Sequence, residues 1–65
     1  MLNRNELRAA FARKGYTQQD VAAKLGITGR TMTAKMQKGV FKSDEIYAMM
    51  DFLDITDPMP IFFAK

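Results

Sequence analysis

Thr17-Gln18-Gln19-Asp20-Val21-Ala22-Ala23-Lys24-Leu25-Gly26-Ile27-Thr28 carries the start of one helix, its end and the cap of the next. Thr17 and Asp20 stand three apart, so the hydroxyl can accept from the Asp20 amide while the carboxylate returns to the Thr17 amide, and a helix starts there. Val21, Ala22 and Leu25 follow at helical spacing. Gly26 supplies the positive φ at which a helix ends, and Ile27 is an apolar residue able to plug the turn. Thr28 then caps a second helix. The pattern predicts helices over 18–25 and 29–37, the latter stopping before Gly39 with Met32 and Met36 as its apolar pair.

Outward from this unit the chain is again helical, with no long alternating pattern, so the fold class is all-α. On the N-terminal side, Asn3 as cap, Glu6 three residues on, and Leu7, Ala10 and Phe11 predict a helix over 4–14 before Gly15. On the other side, Ser43 with Asp44 and Glu45 opens a fourth helix whose stripe is Ile46, Met49, Met50 and Leu53. Phe41 lies in the connection and is expected to be buried, and Tyr16 is a candidate lid over the core. In the tail, Pro58 and Pro60 prevent a long helix while Ile61, Phe62 and Phe63 demand burial, against the core or against a second chain. Of the six methionines, Met32, Met36, Met49 and Met50 stand at helical spacing with Ile46 and Leu53 and read as core filling.

Sixty-five residues are expected to form a single domain, residues 1–65, and an apolar share of 48% with 26% charge excludes a disordered tail. Neither cysteine nor histidine is present, which removes disulfides and the usual zinc ligands. The first residues hold no apolar signal segment and no apolar run is long enough for a membrane span. Charge is uneven: Met1 to Lys42 carries nine Lys/Arg against Glu6 and Asp20, net +7, whereas the remainder is net −4. A basic front fits a polyanion partner, because Lys and Arg that neutralise phosphates release counterions; it fits a solvated surface as well.

Residues 18–37 together have the arrangement of a DNA-binding helix-turn-helix, in which the two helices cross steeply and need small residues at their contact, here Ala22 and Gly26. The stretch from Thr17 to Thr28 resembles the helix-turn-helix of phage repressors of the Cro and CI type. The likeness continues through Phe41-Lys42-Ser43-Asp44-Glu45-Ile46 and the ending Pro-Ile-Phe-Phe-Ala, which is similar to small regulators of phages and prophages of Gram-positive bacteria. It implies a compact lambda-repressor-like domain of four to five helices with a short C-terminal tail, double-stranded DNA as partner, and repression by occupying an operator. It also implies that Gln18 contacts a phosphate and buttresses the recognition helix, a role suited to a side-chain amide at a helix N-terminus.

Turning the 29–37 helix at ~100° per residue puts Arg30, Ala34, Gln37 and Lys38 opposite Met32 and Met36, with Thr33 at the margin. These are the groove-facing candidates. Arg30 can pair with guanine O6 and N7, or hold a phosphate instead. Thr33 and Ala34 can offer methyl contacts to thymine, while Thr28, Gln37 and Lys38 sit near the helix ends and suit phosphates, with Lys35 or Lys42 extending the charged track. Gly29 holds the first recognition position, where the repressors often carry glutamine, and Lys35 stands where many have an apolar core residue; its stem is expected to cross the core edge with its charge in water.

A single helix-turn-helix reads few base pairs, so a weak homodimer, free or formed on DNA, is expected, with Phe52, Ile61, Phe62 and Phe63 as its interface. Asp51, Asp54 and Asp57 read as a solvated face, since no calcium loop surrounds them. No metal, cofactor or small-molecule ligand is expected, nor an enzyme, because no residue set supplies nucleophile and base together. The expected setting is the cytoplasm of a bacterial host, on the nucleoid when bound to DNA. The competing reading is a protein-interaction module, an anti-repressor or antitoxin-like adaptor, that binds a protein through the tail.

Overall fold

Helix starts follow the side chains able to satisfy free amides. Asn3 Oδ1 accepts from the Glu6 amide at 3.1 Å and opens α1, Arg4–Arg13, which ends one residue earlier than expected with Lys14 as its C-cap. The Thr17 amide donates to Asp20 Oδ2 at 2.8 Å and the Asp20 amide to Thr17 Oγ1 at 3.1 Å, opening α2, Gln18–Leu25. Thr28 Oγ1 accepts from the Thr31 amide at 3.1 Å and opens α3, Gly29–Lys38, which runs one residue past its expected end. The cap of α4, Ser43–Phe52, is Lys42 and not Ser43. Its amide donates to Glu45 Oε1 at 2.8 Å. A single turn after Pro58 forms α5, Met59–Phe62. The computed structural model describes residues 1–64, and among them the secondary structure is entirely helical.

Gly26 adopts φ 72° and ψ 28°, the left-handed conformation that lets α2 stop and α3 leave at a steep angle. The Gly26 amide donates to Ala23 O at 3.1 Å and the Ile27 amide to Ala22 O at 3.0 Å, so the turn engages two of the four free carbonyls at the end of α2. α2 packs chiefly on α3 and also meets α1 and α4, while α5 closes over α1. The domain measures 27 × 23 × 20 Å.

One core gathers Leu7, Ala10 and Phe11 of α1, Val21 and Ala22 of α2, Met32 and Met36 of α3, and Met49 of α4 with Leu53 just beyond it. Leu7, Val21, Met32 and Met49 are completely enclosed. Each such side chain contributes roughly 1.5–3 kcal/mol relative to exposure.

Four expectations change. The stripe of α4 centres on Glu45 and Met49, leaving Ile46 and Met50 half-buried at its edge, because a satisfied carboxylate can occupy a core position. Phe41 is only half-buried and meets the Phe62 ring edge-on at 6.4 Å. Phe52, expected at the interface with a second chain, is half-buried; it turns toward the α1–α2 connection and meets Tyr16 edge-on at 6.2 Å, with Lys24 Nζ 4.8 Å from the Tyr16 centroid. Ile61 and Phe62 are 5% and 6% exposed and belong to this chain's own core. The Asn3 amide fastens α5 by donating to Ile61 O at 2.7 Å, so these two residues are withdrawn from the surface proposed for a second chain.

Candidate nucleic-acid interface

α3 has one apolar side and one open side. Met32 and Met36 face α2 and the core, whereas Thr28, Gly29, Arg30, Thr33, Ala34, Gln37 and Lys38 are all exposed. Helical periodicity brings them together: residues spaced three and four apart share a face, and the methionines claim the other one. Arg30, Lys38 and Lys42 form no ion pair among the described residues, so their charges remain available to an anion.

Gln18, half-buried at the start of α2, reaches across to α3. Its Nε2 donates to Thr33 Oγ1 at 3.2 Å, and the Thr33 hydroxyl donates to Gly29 O at 3.0 Å. The Thr33 hydroxyl is therefore engaged within the protein, although the residue as a whole is exposed. Thr28 is also committed locally, since its oxygen caps α3 and its hydroxyl meets Thr31 Oγ1 at 2.9 Å. Gly29 is not required by space or conformation: a Cβ there would meet only Gln19 Cγ, at an ordinary 3.9 Å.

Lys35 differs from its expectation. Its ammonium is only partly open to water and joins no phosphate track; it lies 3.1 Å from Glu45 Oε1, with the Lys35 side chain 20% exposed and that of Glu45 9%. Two opposite charges on the facing apolar sides of α3 and α4 neutralise one another, and the Glu45 oxygen also takes the Lys42 amide. The signal was present in sequence as one charge on each of two apolar stripes, legible only once the stripes are known to face.

Arg4 is a second residue that sequence reasoning counted only as part of a basic front. Its Nε donates to Met36 O at 2.6 Å and its Nη2 to Gln37 O, at the C-terminal end of α3. A cation there complements the negative end of the helix. The partners are 32 and 33 residues away, beyond the reach of any local pattern.

Two titrating groups are perturbed. The Thr17 amide, then its hydroxyl, hold the Asp20 carboxyl below its ordinary value of 3.8. The hydrogen bond and then the charge of Asp54 raise the Lys14 ammonium above 10.5, through an ion pair that joins the ends of α1 and α4. Of the dimer candidates, only Phe63 is well exposed, at 49%, bordering shallow depressions shared with Val40 on one side and Tyr47 on the other. Among the described residues no helix is long and apolar enough to cross a membrane.

The arrangement, two helices joined by a left-handed glycine with an open polar face on the second, suits insertion into the major groove of a duplex. No curated protein and no solved structure matches the chain. A family model does match, that of bacterial regulatory proteins of the Fis family, over residues 1–39, from the N-terminus through the glycine that closes α3. That match supports the helix-turn-helix class expected from the sequence, and not the Cro and CI type in particular. With more than half its length so matched, this chain belongs to the Fis family of bacterial regulatory proteins, helix-turn-helix DNA-binding regulators of transcription.

Proposed function

We propose that the protein is a small repressor of the Cro-like kind, of phage or prophage origin, which lays α3 in the major groove of its operator and obstructs polymerase by occupancy rather than by catalysis. The observation that carries this reading is the one-sided exposure of α3: every candidate contact from Thr28 to Lys38 lies outside while Met32 and Met36 lie inside. In this reading Arg30 reads a base, Thr33 and Ala34 meet thymine methyls, and Gln18, Thr28, Gln37 and Lys38 hold the backbone, with Gly29 leaving room for close approach. Two copies bind half-sites about one helical turn apart. Phe63, with Val40 and Tyr47 beside it, is the apolar surface left for contact between them. The protein acts in the bacterial cytoplasm, on the nucleoid.

Selection of duplexes from a random library at ~150 mM salt, where non-specific binding is weakened, tests this. A two-fold symmetric motif is expected, and Arg30→Ala should relax one position of each half-site at a loss of about 1–3 kcal/mol. The exposure of Tyr47 at 71% and Val40 at 65% favours a second reading, an adaptor that binds a protein. A folded protein that enriches no duplex, together with a function abolished by Phe63→Ala but not by Arg30→Ala, would establish that reading instead.

A further inference from the structure

α3 ends in an unusual arrangement of carbonyls. The Gly39 and Val40 amides both donate to Lys35 O, at 2.8 and 3.2 Å, so the closing turn does not reach the carbonyls of Met36 and Gln37. Those two are met by the Arg4 guanidinium, through Nε at 2.6 Å and through Nη2. Two parallel donors in one rigid plane fix direction as well as distance, which a lysine ammonium does not. Arg4 is itself the first residue of α1, and the Asn3 amide before it is anchored on Ile61 O.

We propose that Arg4 is a positioning residue for DNA recognition: its fork sets where the last turn of α3, with Gln37 and Lys38, lies relative to the duplex, although Arg4 reads no base. This rests on the reading of α3 as the groove-inserted helix. The middle of α3 is held by Gln18 on Thr33, so the helix is tied to elements outside it at its centre and at its C-terminal end. Loosening the Arg4 contact lets the last turn of α3 shift relative to the part held by Gln18. Contacts that depend on geometry weaken, while attraction to the phosphate backbone as a whole persists.

The test uses the full chain as wild type, Arg4→Met and Arg4→Lys, each shown by circular dichroism to be folded at the working temperature. Affinities are measured for a duplex bearing the selected motif and for a scrambled duplex, across a salt series. The ratio of the two should fall about tenfold in Arg4→Met, the size of one lost bidentate contact, with the salt slope unchanged. Arg4→Lys keeps the charge and loses the fork, and should fall nearly as far. In the absence of DNA, amide exchange in the last turn of α3 should quicken in both variants.

An unchanged ratio in the folded variants overturns the proposal. So does an equal loss on both duplexes with a salt slope smaller by about one, which marks Arg4 as a phosphate contact. Should Arg4→Met fail to fold, Arg4→Lys decides by the same ratio. A wild-type chain that enriches no motif overturns the DNA reading, and this proposal with it.

Discussion

Gly26 shows how much of the molecule depends on one missing side chain. At φ 72° an L-residue is strained, yet an added Cβ would touch nothing within 4 Å. The effect of Gly26→Ala is thus backbone strain of ~1–2 kcal/mol, offset in part by a stiffer unfolded chain. A net destabilisation of about 1 kcal/mol in urea unfolding is expected, with Gly26→Asn losing less. Asp20 gives a prediction in pH. Its carboxyl titrates lower in the folded chain than in the unfolded one, so its contribution is complete above the ordinary value of 3.8 and disappears as pH falls through the lower folded value. Asp20→Asn should therefore lose less melting temperature than wild type between about pH 5 and pH 3. Equal losses in the two proteins would mean that the Thr17–Asp20 box adds nothing in solution.

Between elements, the least expected feature is the Lys35–Glu45 pair across α3 and α4. Removing one member leaves the other charge enclosed without its partner, which costs about 3–5 kcal/mol for a fully buried pair and less here, because Lys35 is partly open to water. Lys35→Met alone should destabilise by about 2 kcal/mol, since it strands Glu45. Glu45→Gln alone keeps an acceptor for the Lys42 amide and should lose about 1–2 kcal/mol. The double variant should be much closer to wild type than the sum, and a double-mutant cycle by urea unfolding measures the difference. Additive losses would show that the two charges do not sense each other.

At the scale of the whole molecule, neighbouring phenylalanines in α5 and its cap divide between packing and surface. Phe62 is enclosed beside Phe41 and its removal leaves a cavity, so Phe62→Ala should cost about 3–5 kcal/mol, a large part of the stability of so small a domain. Phe63 is half exposed, and Phe63→Ala should alter stability by under about 0.5 kcal/mol. The same variant should weaken self-association in sedimentation and cooperativity on a two-half-site duplex. Unaltered behaviour in both would place the contact between copies elsewhere.

Local chemistry was enough to read the helix-turn-helix itself: a Thr–Asp box, an apolar triplet, a glycine at the one position needing positive φ, and a second threonine cap all lie within 12 consecutive residues. Capping and turn formation involve groups three to five residues apart, so the chain carries them in order, and the same holds for the one-sided apolar period of α3 that separates Met32 from Arg30. Arg4 on Met36 O, Lys35 on Glu45, Lys14 on Asp54 and the burial of Ile61 and Phe62 are of another kind. A charge or a ring is equally at home in water, against a partner chain or across its own core, and which it meets depends on where elements tens of residues apart come to rest. Residues near one another in the chain suffice to build the helix-turn-helix; the packing of distant elements settles that Arg4 meets the end of α3 and Lys35 meets Glu45, while Arg30, Lys38 and Lys42 have no ion pair among the described residues.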